Sequence, residues 1–444
     1  MKFYDREEEL KELERMRELS FNGHSRLTVV TGRRRIGKTS LIIKACEGTP
    51  TIYLFVSRDN ETMLVKRFAE EIRRSLNIFI PEELNSFRSL FMILMEAGKN
   101  NKFNLVIDEF QDFLYVNSSI FSHIQDVWDR YRGDTHVNFI VSGSAYHMMN
   151  KIFEDQKEPL FGRRDSLMKL SPFRTDVIKE ILHDFKPDYT SEDLLALYTF
   201  TGGVPKYMEL FMDDGILDKD AMINYTIREN SQFISEGKNI LIEEFGKDYG
   251  TYFSILGCIS SGINTQSAIE NTLGNVSIGG NLKRLTEDYA LISKIRPFAS
   301  REGTKSVRYE ITDNFLRMWF KYVHRNRSIV EIGNWKLLRK IVSDDYTTYT
   351  GDVLERYFRQ KMMESMNYRE ISNWWDPKNR ENQCEIDIIG ITADDSSAEI
   401  YEVKRNPDRY RRDVLDKKVE YLCSKVKGMK KYNIMTGNLS MKDM

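Results

Sequence analysis

A chain of 444 residues is longer than one hydrophobic core usually supports, so about three domains are expected at roughly 150 residues each. Hydrophobic residues at 41%, aromatics at 12% and charged residues at 30% exclude a disordered chain. A net charge of -1 excludes a strong whole-molecule field, so any attraction to nucleic acid has to come from local patches.

Four cysteines, Cys46, Cys258, Cys384 and Cys423, contain no C-x-x-C pair, which leaves buried free thiols as the expectation in place of a disulfide framework or a zinc site. The opening MKFYDREEEL lacks the apolar core of a signal peptide, and no apolar run reaches the roughly 18 residues that span a bilayer. The protein is expected in the cytoplasm, without a membrane partner.

The first strand is expected at RLTVVT, 26–31, running into TGRRRIGKTSL and then into a helical stripe that ends at Gly48. TIYLFVS, 51–57, reads as a second strand, followed by a long helical stretch. FNLVIDEF, 103–110, is an apolar run that stops in two acids, and HVNFIVSGS, 136–144, repeats the form with small hydroxyls at its end. Strands alternating with helices predict a parallel sheet, whose ligands gather at the carboxyl ends of the strands. All three polar endings fall on that edge.

The pattern from 171 to 245 is helical, with TGGVPKY at 201–207 as a turn between two helices, and is read as a lid. Three short helical patterns and a hairpin at 293–312 then have the make-up of a winged helix. A helical connector follows. The last unit opens with a helix around GDVLERYFRQKM, continues as the strand-like runs SNWW, CEIDIIGI and AEIYEVK, and closes with a helix and KYNIMTG. There is no internal repeat and no low-complexity segment.

Gly32-x-x-x-x-Gly37-Lys38-Thr39 satisfies the phosphate-loop pattern, in which backbone amides at a helix N-terminus make an anion site from fixed dipoles. Gly32, Arg35, Ile36, Gly37, Lys38, Thr39 and Ser40 are therefore expected around ATP, with Lys38 on the outer phosphates and the Thr39 hydroxyl on Mg2+. Asp108 ends the next acidic strand, where a magnesium-bound water is held, and Glu109 stands where it polarises an attacking water. Ser142 is placed to sense the γ-phosphate, with Ser144 as the neighbouring alternative. The planar cations of Arg33, Arg34 and Arg35 suit phosphate or acids across a domain interface.

In the order FYDREEEL, GRRRIGKTSL, LVIDEFQ, VSGS, LFGRRDSLMKLSPF and TGGVPKYMELF, the sequence resembles the archaeal-type ATPase family of the AAA+/STAND group over nearly its whole length. Many members of that family carry a winged helix and a nuclease-like C-terminal domain. The resemblance implies an ATP-dependent switch or motor. It also implies that residues 3–6, Arg6 among them, lie near the adenine, and that Arg163 or Arg164 acts as a finger or internal sensor.

The run CEIDIIGITADDSSAEIYEVKR holds Asp387 and then Glu402-x-Lys404, the arrangement of the PD-(D/E)XK nuclease fold. A hairpin centred on Asp394 and Asp395 sets Asp387 opposite Glu402, with Cβ atoms about 5 Å apart, close enough to share a divalent cation. Lys404, two residues on, lies on the same face. Such a trio suits metal-assisted phosphodiester hydrolysis. Glu355, on the preceding helix, occupies the place where that family supplies another acid on the metal side.

From Lys404 to Lys431 eleven Lys or Arg stand against four Asp or Glu, and the expected wing carries Lys294, Arg296, Arg301, Lys305 and Arg308. DNA is the partner these patches suit, through salt-dependent phosphate contacts. Trp374 and Trp375 are candidates to stack on bases, but neighbouring strand residues face opposite ways, which puts at least one of them in the core. The chain is thus read as multidomain α/β: a P-loop NTPase parallel sheet over 1–170, a helical lid over 171–245, a winged helix over 246–325, a helical connector over 326–343 and an α/β restriction-endonuclease-like domain over 344–444. The expected function is an ATPase switch coupled to a DNA-binding module whose nuclease-like site leaves cleavage open. Its rival is a signalling ATPase that assembles with a protein partner, its nuclease-like domain serving only for binding; a homo-oligomer is a further partner left open.

Overall fold

A computed structural model describes every residue except 77–78, 246–248, 302, 305 and 377–383. Lys305 and the expected boundary at 245/246 therefore lie outside, or at the edge of, the described residues. The chain divides into two compact units, Asp5–Ser171 on one side and Met1–Tyr4 with Pro172–Met444 on the other.

In the first unit, β1 (Arg26–Thr31), β2 (Thr51–Phe55), β3 (Phe103–Asp108), β4 (Val137–Gly143) and β5 (Ser166–Lys169) form one sheet in the order β2-β3-β4-β1-β5. Every pairing in it is parallel. β3 and β4 are buried along their whole length, which is why they read as unbroken apolar runs. Their two faces serve two cores: Leu105, Ile107, Phe139 and Val141 pack on one side, Val106 and Ile140 on the other. The side-chain alternation of a strand produces that split. The helical stretch after β2 is two helices, Glu61–Ser75 and Phe87–Ala97, capped by the side chains of Asn60 and Ser86. A stretch containing Pro81 separates them, and proline is poorly tolerated inside a helix.

The second unit opens with the helices Thr175–Phe185, Ser191–Thr201, Pro205–Asp213, Lys219–Thr226 and Gln232–Phe245. The turn at 202–204 contains a glycine that no other residue can replace without strain. Gly203 has φ +76, and a Cβ there would meet the Phe173 carbonyl oxygen at 2.7 Å. Helices Tyr249–Ser260, Gln266–Thr272 and Gly279–Glu287 precede the antiparallel pair β6 (Ile292–Ile295) and β7 (Arg308–Ile311), the make-up of a winged helix. The C-terminal sheet contains β8 (Tyr368–Trp375), β9 (Glu385–Thr392), β10 (Ser397–Lys404) and β11 (Asn433–Ser440) in the order β11-β10-β9-β8. β8, β9 and β10 run antiparallel in succession, and β11 joins β10 in parallel after the helix Arg412–Lys425.

The separate connector over 326–343 is not what the structure contains. One helix, Trp335–Glu364, runs through the expected boundary at 343/344. Leu338, Val342, Tyr346, Tyr349, Val353, Leu354, Tyr357 and Phe358 are buried along it, in one core with residues of the lid, the winged helix and β9–β10. A helix with apolar residues on so much of its circumference is a central strut, and the local pattern did not distinguish that from a connector followed by a new domain.

Candidate functional site

The phosphate loop is built by close packing. Gly32 (φ +157) has Ile36 Cγ2 and the Leu170 carbonyl 2.9 and 3.0 Å from where a Cβ would sit, so any larger residue displaces the loop. Gly37 precedes the helix Lys38–Cys46, and Arg35 also has positive φ. The Lys38 ammonium is buried and donates to the carbonyls of Gly32 at 2.9 Å and Arg33 at 3.2 Å. Ile36 is buried beneath the loop, whereas Thr39, Ser40 and Arg34 are exposed and Arg33 and Arg35 half-buried.

The β3 register sets Asp108 beside Phe55 at the carboxyl edge of the sheet. Its carboxylate is surrounded by neutral donors: the Thr39 hydroxyl at 3.1 Å, the Glu109 N–H at 2.9 Å, and the hydroxyls of Ser142 and Tyr53. Burial and the bond to Asp108 push the Tyr53 phenol up, so it remains a donor. Glu109 has φ 51, a left-handed conformation that turns its side chain towards Ser144 and Gln111. It accepts from the Ser144 hydroxyl at 2.7 Å and the Gln111 amide at 2.6 Å. Ser142, expected as a γ-phosphate sensor, is fully buried and serves as an Asp108 donor, while Ser144 serves Glu109. Tyr53 and Gln111 were missed. Tyr53 sits inside the expected strand 51–57, with no local signal that its hydroxyl reaches β3.

Arg163 makes a paired contact with Asp129 (2.8 and 3.1 Å), and Arg164 pairs with Glu154 at 3.1 Å. Arg6 is buried, with one nitrogen 3.1 Å from Glu9 and another donating to the Ser171 carbonyl at 2.6 Å. Of the segment expected near the adenine, Met1–Tyr4 belongs to the second unit, where the N-terminal amine meets Asp213 at 2.6 Å and Tyr4 donates to Asp184 at 2.8 Å.

In the C-terminal sheet the hairpin parity holds. The ladder runs from Ala398↔Ile391 to Tyr401↔Ile388, so its next step faces Glu402 with Asp387, and the Val403 N–H donates to Asp387 at 2.8 Å. The Lys404 ammonium lies 2.8 Å from Glu402 and 3.6 Å from Asp387. Sequence reasoning missed Lys418, which arrives from the helix Arg412–Lys425 and donates to both Glu402 oxygens at 3.0 Å. Burial and the adjacent Glu402 raise Asp387 above the usual carboxylate range; burial and Asp387 raise Glu355 well above it. Burial works against the Lys404 charge, but Asp387 and Glu402 outweigh it and hold the ammonium above its ordinary value. Glu355, Asp387, Glu402 and Lys404 are thus brought into one neighbourhood.

The expected core place for at least one tryptophan holds, but the stacking role does not. Trp374 and Trp375 are both buried and unavailable to stack on bases. Trp374 meets Tyr421 edge-on, and the Arg308 guanidinium covers Trp375 at 4.2 Å from its ring centre. Arg308 is therefore not a free wing cation: it also pairs with Glu385 at 2.7 Å. Nor do Asp387 and Glu402 present a ready cation cage. Lysine nitrogens take the Glu402 oxygens, the Val403 N–H takes one of Asp387, and among the described residues no group of three or more His, Cys, Asp or Glu side chains is set to hold a metal ion.

Residues 3–211 match a family described as an ATPase domain predominantly from Archaea. An uncharacterized protein of Methanocaldococcus jannaschii is 30% identical over 415 residues, covering 90% of this chain and 87% of its own. The chain belongs to this archaeal ATPase family. Residues 319–414 of the ATPase match a second family, described as archaeal and bacterial proteins of unknown function, and that match contains Glu355, Asp387, Glu402 and Lys404. Among solved structures, the Walker-type ATPase of Pyrococcus abyssi is 19% identical, covers 72% of this chain and 96% of its own, and superposes with a TM-score of 0.55, a likeness of fold. The ORC2 protein of Aeropyrum pernix, solved as ADPNP-ADP complexes, is 15% identical over 74% of this chain and 96% of its own, with a TM-score of 0.49. No helix among the described residues is long and apolar enough to cross a membrane.

Proposed function

We propose that this ATPase is a switch in which nucleotide turnover at the phosphate loop alters how the C-terminal unit engages DNA. The observation that carries the nucleotide half is the 3.1 Å approach of the Thr39 hydroxyl to the Asp108 carboxylate beside the Gly32 cradle. A hydroxyl and a carboxylate oxygen at that spacing suit Mg2+, which when bound offsets charge on the outer phosphates. Lys38 exchanges its two loop carbonyls for phosphate oxygens. Glu109, released from Ser144 and Gln111, orients the attacking water and draws its proton. Arg163 is a finger only after it leaves Asp129.

The DNA half is supported by exposed basic residues, interspersed with the exposed acids Asp408, Asp413, Asp416 and Glu420. Arg409, Arg411, Arg412, Lys417, Lys427 and Lys430 are all exposed around the last helix, as are Lys294, Arg296 and Arg301 on the wing. The approach of Asp387, Glu402 and Lys404 supports a phosphodiester-handling site. Because Lys404 and Lys418 pair with Glu402, no metal-dependent cleavage step is derived for it, and that pairing favours the rival reading of a module that only binds a partner.

The test is ATP turnover and plasmid integrity with and without DNA and divalent metal, comparing the parent with Lys38→Ala and Lys404→Ala. DNA-stimulated turnover lost in Lys38→Ala supports the switch. Turnover indifferent to DNA at low salt sinks it and favours a protein partner. Plasmid nicking that persists unchanged in Lys404→Ala removes that residue from any cleavage role.

A further inference from the structure

Within the second unit, a cavity of about 500 Å3 opens between the winged helix and the C-terminal sheet. One wall is β7, with Arg308 and Glu310; another carries Arg317, Lys321 and Arg325; Glu355 and Asp387 stand on the sheet side. Arg317, Lys321 and Arg325 recur at every fourth residue through Asn314–Met318 and the π-helical turn Trp319–His324, with Arg325 N–H bonded five residues back to the Phe320 carbonyl at 3.1 Å. Single π-turns of this kind gather at functional sites.

Most charges on these walls are already matched. Glu310 is held by Arg356 at 2.9 Å, Glu385 by Arg308 at 2.7 Å, and Lys321 by Asp345 at 2.9 Å. The side chains of Arg317 and Arg325 make no hydrogen bond or ion pair among the described residues. Two guanidinium forks left open in one cavity suit phosphate oxygens.

The cavity also limits the shape of what enters. The wing is fastened over the sheet edge: the Phe298 N–H donates to the Asn373 carbonyl at 2.9 Å, and its ring joins the core of Trp374, Ile386 and Ile389. A volume of about 500 Å3 is that of a small-ligand pocket, commonly about 300–1,000 Å3, and holds a nucleotide or two in place of a double helix. Proteins that must reach one nucleotide either act on single strands or draw it out of the stack.

We propose that this cavity takes the phosphorylated end of a single strand, with Arg317 and Arg325 receiving phosphate oxygens and the terminal nucleotide lying towards Asp387. The inference rests on the nucleic-acid reading above and narrows it to strand ends. It places the exposed basic residues in the role of non-specific attraction, and the two arginines in the role of selecting an end.

Fluorescence anisotropy in EDTA, at fixed salt, tests it with a labelled 5′-phosphorylated single strand and a covalently closed dumbbell duplex of matched phosphate count. The single strand is expected to bind at least tenfold tighter. The double change Arg317→Ala with Arg325→Ala is expected to remove that preference, and the corresponding double lysine variant to restore part of it, with circular dichroism melting to show that both variants are folded. Equal binding of strand and dumbbell, or an unchanged preference in the folded alanine variant, overturns the strand-end site while leaving DNA binding intact. Full displacement of the strand by free mononucleotide at equal affinity also overturns it, in favour of a soluble nucleotide. No binding of any nucleic acid overturns both this inference and the DNA reading beneath it.

Discussion

Asp108 and Glu402 are both carboxylates near the ends of buried strands, yet their surroundings differ. Asp108 is met by the hydroxyls of Thr39, Ser142 and Tyr53 and by one backbone N–H. Glu402 is met by the ammonium groups of Lys404 and Lys418. Hydroxyls solvate a carboxylate without cancelling its charge, so Asp108 keeps its attraction for a cation. Ammonium groups offset it directly at Glu402, while the carboxyls of Asp387 and Glu355 beside it are still raised by burial and by the neighbouring acid. The first arrangement leaves a carboxylate solvated by neutral donors beside the phosphate loop; the second sets its carboxylate against two cations.

The strongest way to sharpen this contrast is at Glu109. Glu109→Gln is expected to lower ATP turnover by about 10²–10⁴-fold while nucleotide binding survives, measured by phosphate release alongside equilibrium binding. Lys38→Ala should cost about 10²–10³-fold in turnover and weaken nucleotide retention as well; full turnover in that variant removes the phosphate loop from the chemistry. Lys418→Ala, which strips Glu402 of its two-pronged partner, is expected to lower stability by roughly 1.5–3 kcal/mol in urea unfolding. A value near zero means the lysine clamp is cosmetic and the two sites are more alike than their contacts suggest.

A smaller effect, with a pH signature, is expected at Glu310. Burial opposes its charge, but Arg359, Arg356, Arg317 and Arg308 together hold the carboxyl below its usual range. The folded state therefore binds that proton less readily than the unfolded chain, so the stabilisation is present above the ordinary glutamate pKa and is lost as pH falls through the depressed value. Glu310→Gln should destabilise by about 1–2 kcal/mol at pH 7, and the gap to the parent should close on acidification. Smallest of all, Ser142→Ala removes one of several neutral donors to Asp108 and is expected to cost about 1 kcal/mol without such a pH dependence.

The phosphate loop was legible because its parts are adjacent in sequence: strand, glycines, lysine and helix follow one another from Arg26 to Cys46. The Asp387–Glu402 pairing was legible for a related reason, since a tight hairpin converts sequence distance into register, as the β9–β10 ladder bears out. Lys418 was not, because the helix that carries it folds back over β9 and β10 only after the chain has left the hairpin. Strand alternation put at least one of the two tryptophans in the core but not both, because it describes one sheet in isolation. Here a helix covers one face and the wing's Arg308 the other. The long helix Trp335–Glu364 was divided because its buried positions answer to several neighbours at once, which blurs a single apolar stripe.

The order of residues by itself determined the nucleotide-binding elements, the acids at the ends of β3 and β9–β10, and the class of both folds, since these follow from periodicities and spacings within a few dozen residues. Only the tertiary structure decided which donors surround each acid, that the wing seals the edge of the C-terminal sheet, and that two arginines are left open in the cavity beneath it. The physical reason is range: backbone preference and side-chain alternation act between neighbours, whereas charge compensation and burial are settled among groups that meet only when the whole chain has packed.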